Sequence, residues 1–308
     1  MIRYIAARTG GALAVLAAIT LFVAFGIRLT GDPAVALFEG AGAPSTEDIA
    51  RIRQAFGIDR PFLAQYGSFL AQAAGGNLGT SFRSGQPVLG LIAERAPATL
   101  ALTAGGMLVA LITAFPLGAY AATRRNALAD ILIRIGSLLG LSFPNFWLGI
   151  MLILIVAVRL RWLPPSGYSG PVSLILPSVT LGIILASTLV RLVRASLLDT
   201  LGQPYVRTAR AKGLRERAVI TRHAMRNALL PVVTFVGLQF GGLLGGIVIL
   251  ENVFAWPGIG QLALEAVSYR DYPVVQGVVV ILACGVSVIN LLVDISYGLL
   301  NPRIRVGV

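Results

Sequence analysis

The sequence predicts an all-α membrane protein with six transmembrane helices. Of its 308 residues, 56% are hydrophobic and only 12% are charged, which is far too apolar for a soluble domain with a solvated surface. Runs of about 20 residues that largely avoid charge are typical of helices that cross a bilayer. Such runs occupy residues 11–27, 98–122, 131–158, 172–190, 229–250 and 274–300.

The arginines predict which side of the membrane each loop faces. With the amino terminus inside, most basic residues fall on inner segments, and the two shorter outer loops hold only Arg159, Arg161 and Arg270. Positive charge collects on the cytoplasmic side of membrane proteins. We therefore expect both termini in the cytoplasm, and we attribute the net charge of +12 to topology rather than to nucleic acid binding.

The first apolar run is expected to remain as a span. It follows Arg3 and Arg8, as in a signal peptide, but no small-residue cleavage site clearly follows Ile27. The single cysteine, Cys284, lies inside an apolar run. One cysteine forms neither a disulfide nor a cysteine metal site within a chain, so we expect it to serve packing.

Residues 30–95, between the first two runs, have soluble character and are expected to fold outside the membrane. Ser45 and Asp48 resemble a capping box with Asp in place of Glu, which predicts a helix. Pro61 suits the first turn of a second helix, and we expect the two helices to pack together. The glycines of 75–87 predict a loop, followed by a short helix at 88–95 that leads into the second run.

Small residues in the predicted spans indicate close helix packing. Glycine and serine at a helix surface let neighbouring backbones approach in lipid. The residues concerned are Gly105, Gly106, Pro116 and Gly118 in the second run and Gly241, Gly242, Gly245 and Gly246 in the fifth.

Asp294 is an acid well inside the sixth predicted span. An intramembrane carboxylate is rare and marks either a relay or a paired structural group. We favour a structural ion pair or hydrogen bond with a basic residue near the carboxyl terminus over a proton or ion relay, because no second acid or histidine lies nearby in the sequence.

The segment 251–273 contains a turn at Trp256, Pro257 and Gly258, followed by a short apolar helix at 259–267. We expect it to dip into the outer half of the membrane and, with its acids Glu251, Glu265 and Asp271, to line an outer vestibule. The alternative is a plain connecting loop in which Trp256 anchors at the interface.

A basic segment, YVRTARAKGLRERAVITRHAMRNALLP at 205–231, lies between two apolar runs. Its first part, 205–214, predicts a short helix that Gly213 ends, because glycine tolerates the left-handed conformation. A second helical run at 215–230 leads back into the membrane. An exposed element of this kind is a lever, since a partner that grips it moves the attached spans.

Motifs for catalysis are missing from the sequence. The only lysine, Lys212, is followed by Gly213 rather than Ser or Thr, which excludes a phosphate-binding loop. The single histidine, His223, excludes an H-E-x-x-H zinc site. We therefore expect no enzyme activity and no bound cofactor or metal in this chain.

The segment 205–231 resembles the cytoplasmic coupling loop, or EAA loop, of the membrane subunits of ATP-binding cassette (ABC) importers. Arg207-Thr208-Ala209 stands in the place of Glu-Ala-Ala, Gly213 in the place of the loop glycine, and Leu230-Pro231 in the place of the closing Leu-Pro. Arg replaces Glu, and the distance from Gly213 to Pro231 is several residues longer than in the general pattern. Both departures resemble the dipeptide, oligopeptide and nickel branch.

Further motifs of that branch span nearly the whole chain. The family usually has Asp where Asn77 and Asn301 stand, which puts any role of those acids in doubt here. The long segment after the first span resembles the B-type member of the two membrane subunits. The motifs are FGIDRPFLAQY at 56–66, NLGTS at 77–81, SFPNFWLG at 142–149, LPPSGY at 163–168, ENVFAWPGIG at 251–260, DYPVVQG at 271–277 and LLVDISYGLLNPRIR at 291–305.

The resemblance implies a type I ABC importer permease fold in a bacterial inner membrane. It implies a first helix with external segment at 1–94, a transmembrane core at 95–297 and a cytoplasmic tail at 298–308. Polar candidates for the translocation path are Gln239, Glu251 and Asn252. The residues expected to couple to an ATPase are Tyr205, Arg207, Thr208, Ala209, Ala211, Lys212, Gly213 and Leu214.

The resemblance implies three protein partners: a second, C-type permease subunit, one or two cytoplasmic ATPase subunits and an external substrate-binding protein. ATP and Mg²⁺ are expected to bind to the ATPase subunits. The chain is also expected to contact membrane lipid and no nucleic acid. Di- and oligopeptides are the expected substrates, and nickel, glutathione or another small solute is the alternative. Two other functions stay open from the residues alone: a transporter driven by an ion gradient, and a scaffold that transports nothing.

Overall fold

We describe the protein from a computed structural model, which describes residues 2–37, 45–55 and 57–300. Over these residues the chain is helical, and the one β-type pairing is a bridge between Thr80 and Pro87. Residues 301–308, which include Asn301 and most of the predicted tail, lie outside the described residues, as do Phe56 and the side chains after Leu292.

Fourteen α-helices are present in the described part of the chain. Short 3₁₀ segments follow at Ile27–Thr30 and Pro171–Leu174, and π-helical segments at Ile153–Arg159 and Val219–Ala224. The α-helices are α1 Ile2–Gly26, α2 Pro33–Ala36, α3 Thr46–Ala55, α4 Phe62–Ala74, α5 Val88–Thr123, α6 Leu128–Ser142, α7 Asn145–Leu152, α8 Ile175–Leu201, α9 Pro204–Ala211, α10 Glu216–Ala218, α11 Met225–Gly246, α12 Val248–Val253, α13 Ile259–Ser268 and α14 Tyr272–Leu300.

Within the described residues, three helical stretches are long and apolar enough to cross a membrane: Val88–Thr123, Pro171–Leu201 and Tyr272–Leu292. They coincide with the second, fourth and sixth predicted runs. The first and fifth runs lie on α1 and α11. Their crossing of the membrane, and so the full count of six spans, stays a prediction.

The third predicted run is bent rather than straight. The helices Leu128–Ser142 and Asn145–Arg159 meet at an angle of 102°. The bend falls at Phe143, whose ψ of 136° is extended, directly before Pro144. Proline disfavours the helical conformation of the residue that precedes it, which explains the break. The pair is one broken span, or a re-entrant segment.

The chain divides into two compact units. Unit 1 comprises 1–99 and 257–288, and unit 2 comprises 100–256 and 289–308. In unit 1 the start of α5, α13 and the start of α14 share an apolar core that includes Val88, Ile92, Ile259 and Val278. The hydroxyl of Thr99 accepts a hydrogen bond of 2.8 Å from the backbone N–H of Ile259, where α13 begins.

The segment between the first two runs has the predicted helices. The hydroxyl of Ser45 donates to Asp48 at 2.6 Å and accepts from the backbone N–H of Asp48 at 3.1 Å, which confirms the capping box. However, α4 lies against α1, where Phe62 meets Phe25 edge to face at 6.0 Å, and α3 lies next to α2. Packing of α3 and α4 on each other therefore stays a prediction.

Asp271 is buried and joins the 75–87 loop to the start of α14. Its carboxylate accepts hydrogen bonds from the hydroxyl of Ser81 at 2.5 Å and from the backbone N–H groups of Phe82 and Arg83 at 3.1 and 3.4 Å. The expectation that Asp271 lines an open vestibule is therefore wrong, because this acid satisfies the backbone of a tight loop.

Trp256 is also placed differently from the interfacial alternative. It is 1% exposed and meets the ring of Tyr168 edge to face, with ring centroids 5.4 Å apart. Gly167 donates a hydrogen bond of 2.8 Å to the carbonyl of Phe254, which fastens the same loop. Trp256 is thus a core residue of unit 2. Cys284, in contrast, is exposed on α14 rather than packed.

In unit 2, α8 is the central helix, with α5, α6 and α11 against it. Glycines allow the close approach that the sequence predicts. A Cβ built on Gly106 would lie 2.4 Å from Leu181, and one on Gly105 would lie 2.4 Å from the hydroxyl of Ser178. Gly242 and Gly245 on α11 are different, because no atom lies within 4 Å of a Cβ built there.

Gly118→Ala is expected to destabilise the purified complex. Its Cβ would lie 2.8 Å from the backbone carbonyl of Val190, an atom that moves only with helix α8. Overpacking of this kind costs about 1–3 kcal/mol. Gly90→Ala on the same helix is the control, since its Cβ would meet nothing within 4 Å. Thermal unfolding in detergent tests the pair, and a Gly118→Ala complex as stable as wild type would contradict the packing argument.

Candidate coupling segment

The helix α9, Pro204–Ala211, is the element that the sequence singled out. Gln203 precedes it, and Pro204 occupies its first turn, where a missing N–H costs nothing. Gly213 ends it with φ of +77°, while its N–H donates to the carbonyl of Arg210 at 2.9 Å. The predicted helix and the role of Gly213 as its stop are confirmed, with the helix beginning one residue earlier than predicted and ending at Ala211.

One face of α9 is anchored to its own chain. Val206 is fully buried and Ala209 is 7% exposed, and their spacing of three residues puts both on one side of the helix. They pack in an apolar cluster with residues of α8 and of the turns that lead into α11; its buried members are Ala122, Leu197, Val206, Ala209, Val219, Ala224 and Ala228. Ala209, expected to touch an ATPase, therefore contacts its own chain instead.

The opposite face of α9 is exposed and basic. It is held in place by a hydrogen bond of 2.7 Å from the side-chain amide of Asn227 to the hydroxyl of Tyr205. In the whole segment 205–231, Glu216 is the single acid. Seven of the eight predicted coupling residues lie on the exposed surface: Tyr205, Arg207, Thr208, Ala211, Lys212, Gly213 and Leu214.

Arg210 and Glu216 close the loop around Gly213. The guanidinium of Arg210 donates to both carboxylate oxygens of Glu216, at 3.0 and 2.6 Å. These hydrogen bonds lower the pKa of Glu216 and raise the pKa of Arg210. Because the folded-state pKa of Glu216 is lowered, the pair stabilises the loop at neutral pH, and this contribution is lost as the pH falls through that pKa.

Glu216→Gln is expected to loosen the loop at pH 7 by a small amount. Both side chains are about half exposed, and exposed pairs contribute about 0.2–1 kcal/mol. Hydrogen exchange of residues 204–218 should therefore quicken by at most about fivefold. Glu47→Gln, which removes an exposed pair with Arg51 on α3, is the control and should leave exchange in this segment unchanged. Unchanged exchange in Glu216→Gln would show that the pair does not hold the loop.

A buried ion pair lies near the anchored face of α9 and was not predicted. Asp130 on α6 is fully buried, and its two oxygens accept from Arg194 of α8 at 2.6 and 2.7 Å. The backbone N–H of Asn126 donates to the same carboxylate at 3.0 Å. Leu197 of the apolar cluster follows Arg194 by three residues on α8, so the pair steadies the helix on which α9 rests.

Sequence position alone offered a weak signal for this pair. Asp130 directly precedes the third predicted run, and Arg194 follows the fourth. Their separation of 64 residues conceals the contact, whereas the arrangement of α6 beside α8 creates it.

The path candidates lie on α11 and α12. Glu251 is fully buried in unit 2. The side-chain amide of Asn252 donates to the carbonyl of Val248 in its own helix at 2.9 Å, and Gln239 is partly exposed on α11. Their place on a translocation path stays a prediction. Asp294 lies in α14, and its side chain is outside the described part of the structure.

The apolar helices and the anchored basic helix between α8 and α11 define a multi-pass membrane protein of the transport class. The chain belongs to the family of binding-protein-dependent transport system inner membrane components, whose model matches residues 114–306. The model of the family's amino-terminal region matches residues 1–103. It is thus a permease subunit of an ABC transporter that imports, as the sequence motifs implied.

Relatives of known name support the family over the full length. A Brucella ovis protein named as a peptide permease is 39% identical over 318 residues, which cover 99% of this chain and 100% of the relative. A glutathione transport system permease protein of Escherichia coli (strain K12) is 41% identical over 306 residues, with 99% of each chain covered. The protein of the same name from E. coli O6:H1 is 42% identical over 306 residues, with the same coverage.

Proposed function

We propose that this permease subunit couples to a cytoplasmic ATPase through the exposed face of α9 and the Gly213 turn. One observation carries the proposal: Val206 and Ala209 fasten α9 to α8 and α11, while the other face of α9 carries exposed basic residues. A helix that is anchored on one side and free on the other transmits a push to the helices beneath it.

The direction of the push follows from the anchoring. Force applied to α9 passes through Leu197 to α8 and through Ala228 to α11, where the hydroxyl of Ser196 also donates to the carbonyl of Ala228 at 2.7 Å. Because α8 and α11 are tied together at this end, they move as a unit. ATP-driven closure of two ATPase subunits would then switch the spans from inward-open to outward-open.

The energy source and the rest of the path lie on partners. The chain has no phosphate-binding loop, so ATP and Mg²⁺ bind to ATPase subunits. A second, C-type permease completes the path, and an external protein delivers the substrate. This arrangement requires α9 and both termini to face the cytoplasm. We keep Gln239, Glu251 and Asn252 as path candidates and the division at 94 and 297 as the domain assignment.

Short peptides are the proposed substrates, and glutathione, itself a small peptide, has equal support. Both proposals rest on the names of relatives that match 99% of this chain. Nickel or another small solute is the remaining alternative from the same branch.

The composition of the native complex tests the proposal. The chain is purified through a tag from native membranes in mild detergent, and the co-purifying proteins are identified by mass spectrometry. We expect a second permease and ATPase subunits, and ATP hydrolysis that rises when the external protein is supplied with dipeptide or glutathione. A chain that purifies alone, under conditions that keep other membrane complexes intact, would refute the coupling and favour gradient-driven transport.

A further inference from the structure

Unit 1 contains a cavity of about 370 Å³. It lies among the end of α1, the turn between α3 and α4, the 75–87 loop and the start of α14. Its volume falls in the lower range of pockets that hold small molecules. The lining is rich in amides and hydroxyls, and the residues that matter here are Arg28, Gln65, Ser68, Gln72, Tyr272 and Gln276.

Arg28 brings a positive charge to this cavity without a carboxylate to balance it. Its guanidinium donates to the carbonyl of Ala24 and to the side-chain oxygen of Gln65, the latter at 2.5 Å. It lies 4.8 Å from the ring centroid of Phe62 and 5.4 Å from that of Tyr272. Among the described residues these neutral groups are its partners. A half-buried cation in such surroundings favours a nearby anion.

Two acids of unit 1, Asp32 and Asp271, are engaged in other contacts. Asp32 forms an ion pair with Arg53 and caps α2, where it accepts from the N–H of Ala34 at 2.9 Å. Asp271 accepts from Ser81 and from the backbone of the loop, as described above. No acid is among the described residues that line the cavity, so its charge is positive.

Gln276 adds an amide to the lining of the cavity. It follows Tyr272 by one helical turn on α14, which places both on the same face. Gln276 is 7% exposed. Its amide can both donate and accept hydrogen bonds, so it offers polar contacts to a solute in the cavity.

We propose that the cavity binds a small organic carboxylate of amino-acid or dipeptide size. The carboxylate accepts hydrogen bonds from Arg28, whose guanidinium has five N–H donors and uses only part of them on Ala24 and Gln65. The amides of Gln276 and Gln72 bind the remaining polar atoms of the solute. Glutamine side chains both donate and accept, which suits an amide-bearing solute better than the tails of a lipid. The site lies in unit 1 alone and does not depend on the coupling proposal.

Cysteine protection in the purified complex tests the site. Ser68 lines the cavity and is exposed, so Ser68→Cys is made in a Cys284→Ser background. L-alanyl-L-alanine should slow maleimide labelling of the introduced cysteine at least about fivefold, because a bound ligand blocks access. L-alanyl-L-alaninamide, which lacks the carboxylate, should not. Ala71→Cys on the exposed surface of the same helix, outside the lining, is the matched position that no ligand should protect.

Arg28→Gln should weaken the binding of L-alanyl-L-alanine about 10- to 100-fold, because a hydrogen bond to a charged group is lost. Arg51→Gln, the same change at an exposed site of α3 outside the cavity, should have no effect. If Arg28→Gln fails to assemble, Gln276→Leu replaces it. Equal protection by the amide, protection that survives Arg28→Gln, or no protection by millimolar dipeptide would overturn the proposal. Protection by phosphatidylglycerol nanodiscs without peptide would assign the cavity to a lipid headgroup and would also overturn it.

Discussion

Asp130→Ala is expected to produce the largest loss of stability of any single substitution considered for this protein. It leaves Arg194 facing the buried site where its carboxylate partner stood, at 2.6 and 2.7 Å. Breaking a buried ion pair from one side costs about 3–5 kcal/mol, because the remaining charge stays desolvated. The N–H of Asn126 loses its acceptor as well. Uptake by the assembled complex should fall with stability, since α8 carries the anchor of α9.

A double-mutant cycle measures the pair itself. Asp130→Ala, Arg194→Ala and the double variant are compared by unfolding of the purified complex in detergent. The double variant should lose less stability than the two single variants added together, because it leaves no unpaired charge. The exchanged pair, Asp130→Arg with Arg194→Asp, should restore only part of the lost stability. An arginine at position 130 would face the N–H donor of Asn126, which then has no acceptor. Additive costs would show that the two side chains are not coupled.

The Glu47–Arg51 pair of α3 is the control for this cycle. Its atoms are 3.7 Å apart and its side chains are largely exposed. Exposed pairs contribute at most about 1 kcal/mol. Glu47→Ala should therefore leave both stability and uptake close to wild type. A loss as large as that of Asp130→Ala would mean that burial is not what makes the Asp130 pair important.

Gly213→Val is expected to have the largest effect on transport with the complex still assembled. Gly213 has φ of +77°, and a Cβ built there meets nothing within 4 Å. A side chain at position 213 is therefore disfavoured by the left-handed backbone conformation and not by a lack of space. A β-branched residue in the left-handed region costs about 1–2 kcal/mol, which reduces the population of the correct α9 turn about 5- to 30-fold.

Gly213→Asn is the matched control, because asparagine tolerates the left-handed conformation. Uptake of labelled dipeptide or glutathione should fall about 5- to 30-fold in Gly213→Val and stay near wild type in Gly213→Asn. Both variants should co-purify with the second permease. Full uptake by an assembled Gly213→Val complex would refute the lever and would fit a scaffold that only holds its partners.

Several features of this protein could be read directly from its sequence. The capping box at Ser45 and the stop of α9 at Gly213 depend on contacts within a few residues, which the spacing of residue types reveals. The same holds for the apolar runs that became α5, α8 and α14. The family itself was evident from motifs that extend along the chain and that the family models confirm.

Other features could not be predicted because they join residues far apart in the chain. One alternative from the sequence placed Trp256 at the membrane interface, and the fold buries it against Tyr168. It suggested that Asp271 lines a vestibule, and the fold turns that acid onto the 75–87 loop. Exposure of a polar or aromatic residue near a turn depends on which segment covers it, and periodicity carries no information about that segment.

The sequence by itself determined the class of protein, most of the helical elements and the stop of α9 at Gly213, because hydropathy, caps and left-handed glycines act over one or two turns. Only the tertiary structure decided that Ala209 anchors its own chain, that Asp130 meets Arg194, and that Arg28 and Gln276 share a cavity. Those contacts arise when distant helices pack, and the desolvation that gives them their energy exists only after the segments meet.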